Sequence, residues 1–103
     1  MERQSLQFEW DAAKDRANRK KHGLMFSNVI SVFRDPDIFT IYDEQHSELE
    51  EDRWISIGLT EKGLVCVVTH TYWKENGIEA VRIISARKAG GTEEKQYFFL
   101  KGR

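Results

Sequence analysis

Residues 53–86, RWISIGLTEKGLVCVVTHTYWKENGIEAVRIISA, decide the fold. Ile55, Ile57 and Leu59 alternate with Trp54, Ser56, Gly58 and Thr60, and a period of two sends successive side chains to opposite faces of a strand. Glu61-Lys62-Gly63 then reads as a hairpin turn. Leu64 to Tyr72 opens with a continuous apolar run, which predicts a strand covered on both faces and central in its sheet. Lys74-Glu75-Asn76-Gly77 ends in the Asn-Gly pair favoured in tight hairpins, so Ile78 to Ala86 pairs back on it. Connections this short predict an antiparallel sheet.

Upstream the period changes. Phe8 to Trp10 suits a short strand, and Asp11 is a good N-cap for a helix running to about His22 and closed by Gly23. Phe26, Val29, Ile30 and Phe33 fall at i, i+3, i+4 and i+7, marking a second helix that faces the core and stops before Asp35-Pro36. Ile38 to Tyr42 is β-branched and aromatic, hence a strand, and 43–52 is an acidic connection. Downstream, Thr92 caps a last helix through about Leu100, with Glu93 and Glu94 in its first turn. The expected class is α+β: an antiparallel sheet, two N-terminal helices and a C-terminal helix.

With 103 residues the chain fits one domain, taken as 1–103, with a single modest core. Hydrophobic residues at 40% suffice for a packed interior despite 32% charged, which argues against disorder. No window approaches the roughly 18 apolar residues of a membrane span, and Met1 to Gln7 lack the apolar stretch of a secretory signal, so the expected compartment is the cytoplasm. Cys66 lies inside the apolar run and reads as a buried small hydrophobe. The net charge of −1 conceals segregation: five of the residues from Lys14 to Lys21 are basic, Asp35 to Asp52 holds eight acids with no Lys or Arg, and Arg53 to Arg103 carries a net +4. A local positive field on a nearly neutral chain is what a polyanion or an acidic partner would meet.

His22, His46 and His70 lack the spacing of a zinc site, and neither a phosphate-cradling glycine loop nor a nucleophile elbow occurs, so no metal and no cofactor are expected. What remains is basic side chains near strand ends: Arg53, Arg82, Arg87 and Lys88. Arginine's planar fork suits a phosphate, and several on one sheet can stabilise the extra charge of a pentacoordinate phosphorus. Such a site can cut RNA without a metal, because the substrate supplies its own nucleophile, the 2′-OH. Histidine is the side chain best suited to proton transfer near neutral pH, which makes His46 a candidate, with Glu50 near in sequence; Tyr97 and Lys88 are weaker candidates. Lys20, Lys21 and Lys88 can touch RNA backbone, and Trp54 can stack a base. Each has a structural alternative: the arginines can pair with the acidic stretch, His46 can be an ordinary loop residue, and Tyr97 can pack its ring on the sheet.

Phe8-Glu9-Trp10-Asp11 with Lys14 and Asn18, then Lys21-His22-Gly23 and Phe26, resembles the opening of BrnT-family toxins. His46-Ser47, Glu51, Arg53 and Gly58 resemble the family's middle motif, and Arg82 to Arg87 with Glu94 and Tyr97 its closing one. The resemblance implies a RelE-like fold and an RNA endonuclease that slows translation. It also implies neutralisation by a BrnA-like ribbon-helix-helix antitoxin in a hetero-oligomer, reaching DNA only through that antitoxin. Arg53, Arg82 and Arg87 carry over as phosphate-binding groups, with His46 and Tyr97 for catalysis. The acidic stretch departs from a strongly basic toxin. Two other readings stand beside this one: a non-enzymatic toxin that binds a protein target such as a topoisomerase, and a weakened module acting through its antitoxin in transcriptional autoregulation.

Overall fold

The computed structural model describes residues 5–47 and 51–102. In chain order the elements are β1 (Ser5–Glu9), α1 (Ala12–His22), a 3₁₀ helix (Phe26–Arg34), β2 (Phe39–Tyr42), β3 (Trp54–Leu59), β4 (Val65–Glu75), β5 (Ile78–Lys88) and α2 (Gly91–Lys101). They build one five-stranded sheet in the order β1-β5-β4-β3-β2. β2 to β5 pair antiparallel, as the hairpin signals predict; β1 pairs parallel to β5, Ser5 opposite Ile78 and Glu9 opposite Arg82. The sheet is therefore mixed, a correction to the antiparallel expectation. The long α1 crossover returns the chain to β2 at the far edge, and a strand reached by no hairpin is free to run either way.

Asn76 and Gly77 both take positive φ, 52° and 77°, as a two-residue hairpin turn requires. Between Thr69 and His70 the register slips by one: Thr69 faces Ser85, His70 faces Ile83, and Ile84 is the extra residue of a bulge. The bulge brings Ile84 and Ser85 side by side onto one surface.

Each face of the sheet has its own core. On one, Phe26, Val29 and Val32 of the 3₁₀ helix cover Cys66, Val68, Val81, Ile83 and Ala86. Burial pushes the Cys66 thiol up to about 11, in keeping with a packing role. On the other, Tyr97 of α2 closes over Ile57, Val65 and Val67. Gly58 has no spare room: a Cβ there would lie 2.9 Å from Val32 Cγ1, so glycine permits the 3₁₀ helix to reach the sheet.

Two polar residues lock the layers. Asn18 sits where β1 has ended and β5 still has a free edge; its amide donates to the Leu24 and Ala86 carbonyls at 3.0 and 2.9 Å and accepts from the Ala86 N–H at 3.0 Å. One side chain thus replaces a strand partner for Ala86. Asp35 accepts from the Leu59 N–H at 2.7 Å, the Asp37 N–H at 2.9 Å and the Tyr97 hydroxyl at 2.5 Å, joining the 3₁₀ helix, β3 and α2. The cap of α2 differs from expectation: Gly90, not Thr92, is the N-cap, and Glu93 reaches back to its N–H at 2.8 Å.

Candidate functional site

α2 covers only one end of its face of the sheet, and the open remainder is where the basic residues gather. Cross-strand pairs define rows: Arg87 with Val67 and Ile57, then Ser85 with Thr69 and Ile55, then Arg82 with Thr71. Alternation places all of these on one face. Arg53 precedes Trp54, whose partner is His70, so it continues the row of Thr71 and Arg82 on that same face. With strands about 4.8 Å apart, the backbones of Arg53 and Arg82 stand roughly 10 Å apart across β4.

A depression of about 280 Å³ lies in this surface, with the Ser85, Thr69 and Ile55 row as its floor and Asp43, His46 and Arg53 as its wall. The wall is made by a short loop after β2. The Asp43 N–H donates to the Arg53 carbonyl at 2.9 Å, the Ser47 hydroxyl donates to the Asp43 carbonyl at 2.7 Å, and the Arg53 N–H donates to the Ser47 Oγ at 2.9 Å. That ring of bonds fixes His46 relative to Arg53. The His46 Nδ1 lies 2.9 and 3.1 Å from the two Asp43 oxygens, and its side chain is 64% exposed while that of Asp43 is 9% exposed. Arg53 is partly buried; its Nε is itself buried, has no hydrogen-bond acceptor among the described residues, and stands 3.7 Å from Glu51 Oε1. The side chain as a whole is 26% exposed, so it is the terminal nitrogens, not Nε, that can meet an anion.

A second depression, about 220 Å³, shares Ile84 and Ser85 with the first and is lined by Lys14, Asn18, Lys21 and His22 of α1. Cations therefore border both sides of the bulge. Arg82 projects beyond the row of Ser85, 45% exposed, with Glu9 Oε1 3.9 Å away. Arg87 is on the same face, yet its two terminal nitrogens donate to the two Glu93 oxygens at 2.7 Å each. Hydrogen bonding from Arg87 draws the Glu93 carboxyl below its usual range, and the same bonds raise the guanidinium. The fork of Arg87 is filled by a residue that also caps α2.

Four sequence expectations separate from this cluster. Tyr97 is fully buried, its hydroxyl donating to Asp35, and burial together with that carboxylate pushes its ionisation far up. It is a packing residue with no route to a scissile phosphate, a correction to its catalytic assignment. Trp54 is on the opposite face, edge-on to Tyr42 at 5.0 Å between ring centres, so it cannot stack a base beside Arg53. Lys88 pairs with Cys66 and belongs to the helix-covered side. Lys20 is exposed on α1 but lines neither depression. Glu50 lies outside the described residues.

Trp54 lines instead a larger groove of about 460 Å³ with Phe33, Tyr72 and Val81. Its polar floor is internally satisfied: Thr40 Oγ1 and Ser56 Oγ are 2.7 Å apart, Ser56 Oγ and His70 Nε2 2.7 Å, and His70 Nδ1 is 3.0 Å from the Thr71 carbonyl. Among the described residues these polar groups find their partners within the groove and no cation lines it, so they offer little to a phosphate.

Asp43, Lys14 and Ser85 line these depressions without having been expected there from the sequence. Lys14 and Lys21 are seven apart and share a helix face, a detectable signal. Asp43 precedes His46 by three residues, but that spacing is informative only once the loop's conformation is known. Among the described residues no group of three or more His, Cys, Asp or Glu is arranged to hold a metal ion.

Residues 10–93 match a family model described as the ribonuclease toxin BrnT of type II toxin–antitoxin systems. Among solved structures, the chain is similar to the Brucella abortus ribonuclease toxin BrnT, with a TM-score of 0.61 and 22% identity over 84% of this chain and 99% of that one. No curated protein sequence matches it significantly.

Proposed function

The chain belongs to the BrnT family of ribonuclease toxins of type II toxin–antitoxin systems, and from that premise we propose that it cuts RNA, without a metal, at the depression between His46 and Arg53. The observation carrying this reading is the pairing, in one open depression, of an exposed imidazole with a partly exposed guanidinium. Arg53 and Arg82, on one face across β4, bind the phosphate and stabilise the charge that grows on phosphorus. His46 withdraws the 2′-OH proton. Lys14, Lys21 and His22 guide the flanking backbone into the site across Ile84 and Ser85. Arg87 serves α2 through Glu93.

In this reading residues 1–103 form one RelE-like domain acting in the cytoplasm, and RNA cleavage there inhibits translation. Its antitoxin is a BrnA-like ribbon-helix-helix protein that brings the complex to DNA. The exposed Phe98 and Leu100 of α2 suit its contact, since apolar and aromatic anchors dominate such interfaces. The test is growth arrest on induction, with total mRNA measured in parallel. Wild type and Lys88→Ala arrest growth and deplete mRNA, whereas His46→Ala and Arg53→Ala do neither. Arrest with intact mRNA points to the protein-target reading instead.

A further inference from the structure

We infer that Asp43 is the positioning residue of the site, holding the His46 ring so that Nδ1–H is bonded and Nε2 is left bare toward the substrate. The inference rests on the proposed cleavage site and adds to it a residue that family membership does not assign. Three features of the geometry carry it. Both Asp43 oxygens lie within 3.1 Å of His46 Nδ1, and they face no other side chain that the described residues supply as a donor. The carboxylate is nearly buried while the imidazole is mostly exposed, so the fixed partner is the acid and the presented one is the ring. The loop is closed on β3 by the Asp43–Arg53 and Ser47 bonds, which tie the ring's position to that of the phosphate-binding guanidinium.

A carboxylate accepts and does not donate, so Nδ1 carries the hydrogen and the lone pair of the neutral ring is on Nε2. Nε2 then takes the proton of the 2′-OH as O2′ bonds to phosphorus. The P–O5′ bond breaks, and its electron pair leaves with the 5′-oxygen, which is protonated by water from the open side. The products are a 2′,3′-cyclic phosphate and a 5′-hydroxyl. Asp43 does not touch substrate; it selects the tautomer and fixes the ring, and its charge faces the imidazolium that forms.

The test combines cleavage kinetics on a defined single-stranded RNA with ring ¹⁵N NMR of the full chain, using wild type, D43N, D43E and H46A. Neutral His46 in wild type is the Nδ1–H tautomer and becomes a mixture in D43N. D43N lowers kcat roughly 10- to 100-fold, a share of what a positioned base contributes, while KM holds within about twofold, and D43E restores part of the rate. An Nε2–H tautomer in wild type overturns the inference without any variant. So does D43N cutting at the wild-type rate while H46A is inactive, or equal losses in kcat and affinity. H46A cutting at the wild-type rate removes the site itself, and is thereby distinguished from a failure of Asp43 alone.

Discussion

Arg87 holds both oxygens of Glu93 at 2.7 Å, whereas Arg53 stands 3.7 Å from Glu51 Oε1 and Arg82 3.9 Å from Glu9 Oε1. Residue identity alone ranks these three equally; what separates them is whether the fork is already filled. Arg53→Ala therefore lowers kcat by roughly 10²- to 10³-fold, the loss typical of removing one donor to a developing oxyanion, with the fold intact by circular dichroism. Arg87→Ala keeps most of its activity and loses roughly 0.5–1 kcal/mol of stability in urea, because the pair is half exposed and screened. A reversal of that order, with Arg87→Ala inactive and stable, would return Arg87 to the site. Residue by residue, Arg53, Arg82 and His46 could be named as candidates from sequence because their chemistry is a property of the side chain. It misjudged Tyr97 and Trp54, whose roles depend on which face a strand or helix presents.

At the scale of elements, α1 is tied to β5 by Asn18, and the 3₁₀ helix meets the sheet over Gly58. Asn18→Ala strands the Ala86 N–H and carbonyl in a buried setting, and two orphaned backbone groups cost about 2–3 kcal/mol, read as a lower urea midpoint. Gly58→Ala forces a Cβ to 2.9 Å from Val32 and costs about 1–3 kcal/mol by the same measurement. If either variant unfolds at the wild-type midpoint, its assigned role is wrong. β3, β4 and β5 were legible because alternation and an Asn-Gly turn are local signals. The parallel pairing of β1 was not, because a strand followed by a helix carries no local record of its neighbour. The 3₁₀ winding of 26–34 was equally hidden, since the apolar spacing alone suits an α-helix.

Over the whole molecule, two cores on opposite faces hold a sheet whose open end carries the proposed site. One buried group couples that architecture to pH. Burial lowers the His70 pKa, so below about 6.5 the unfolded chain takes up a proton that the folded chain resists. Stability is fully present above that value and is lost as pH falls toward the depressed folded pKa. The lowered carboxyls of Asp35 and Glu93 add their losses only further down, below their ordinary values of 3.8 and 4.5. Urea unfolding at pH 7.5 and 5.5 accordingly shows wild type weakened at the lower pH and His70→Asn nearly unchanged between the two; equal slopes would contradict this. Function at this scale was readable from three motif blocks in order, whereas the site's geometry needed the loop of Asp43 to Ser47 closed on Arg53. The central claim is metal-free attack by the ribose hydroxyl at that place. Its most direct test is a defined RNA, and the same strand with one 2′-deoxyribose at the cleaved position, incubated in EDTA with the purified chain. The account predicts that the all-ribose strand is cut to a 2′,3′-cyclic phosphate and the substituted strand survives at that position. Loss of cutting in EDTA, or cutting of both strands alike, would contradict it.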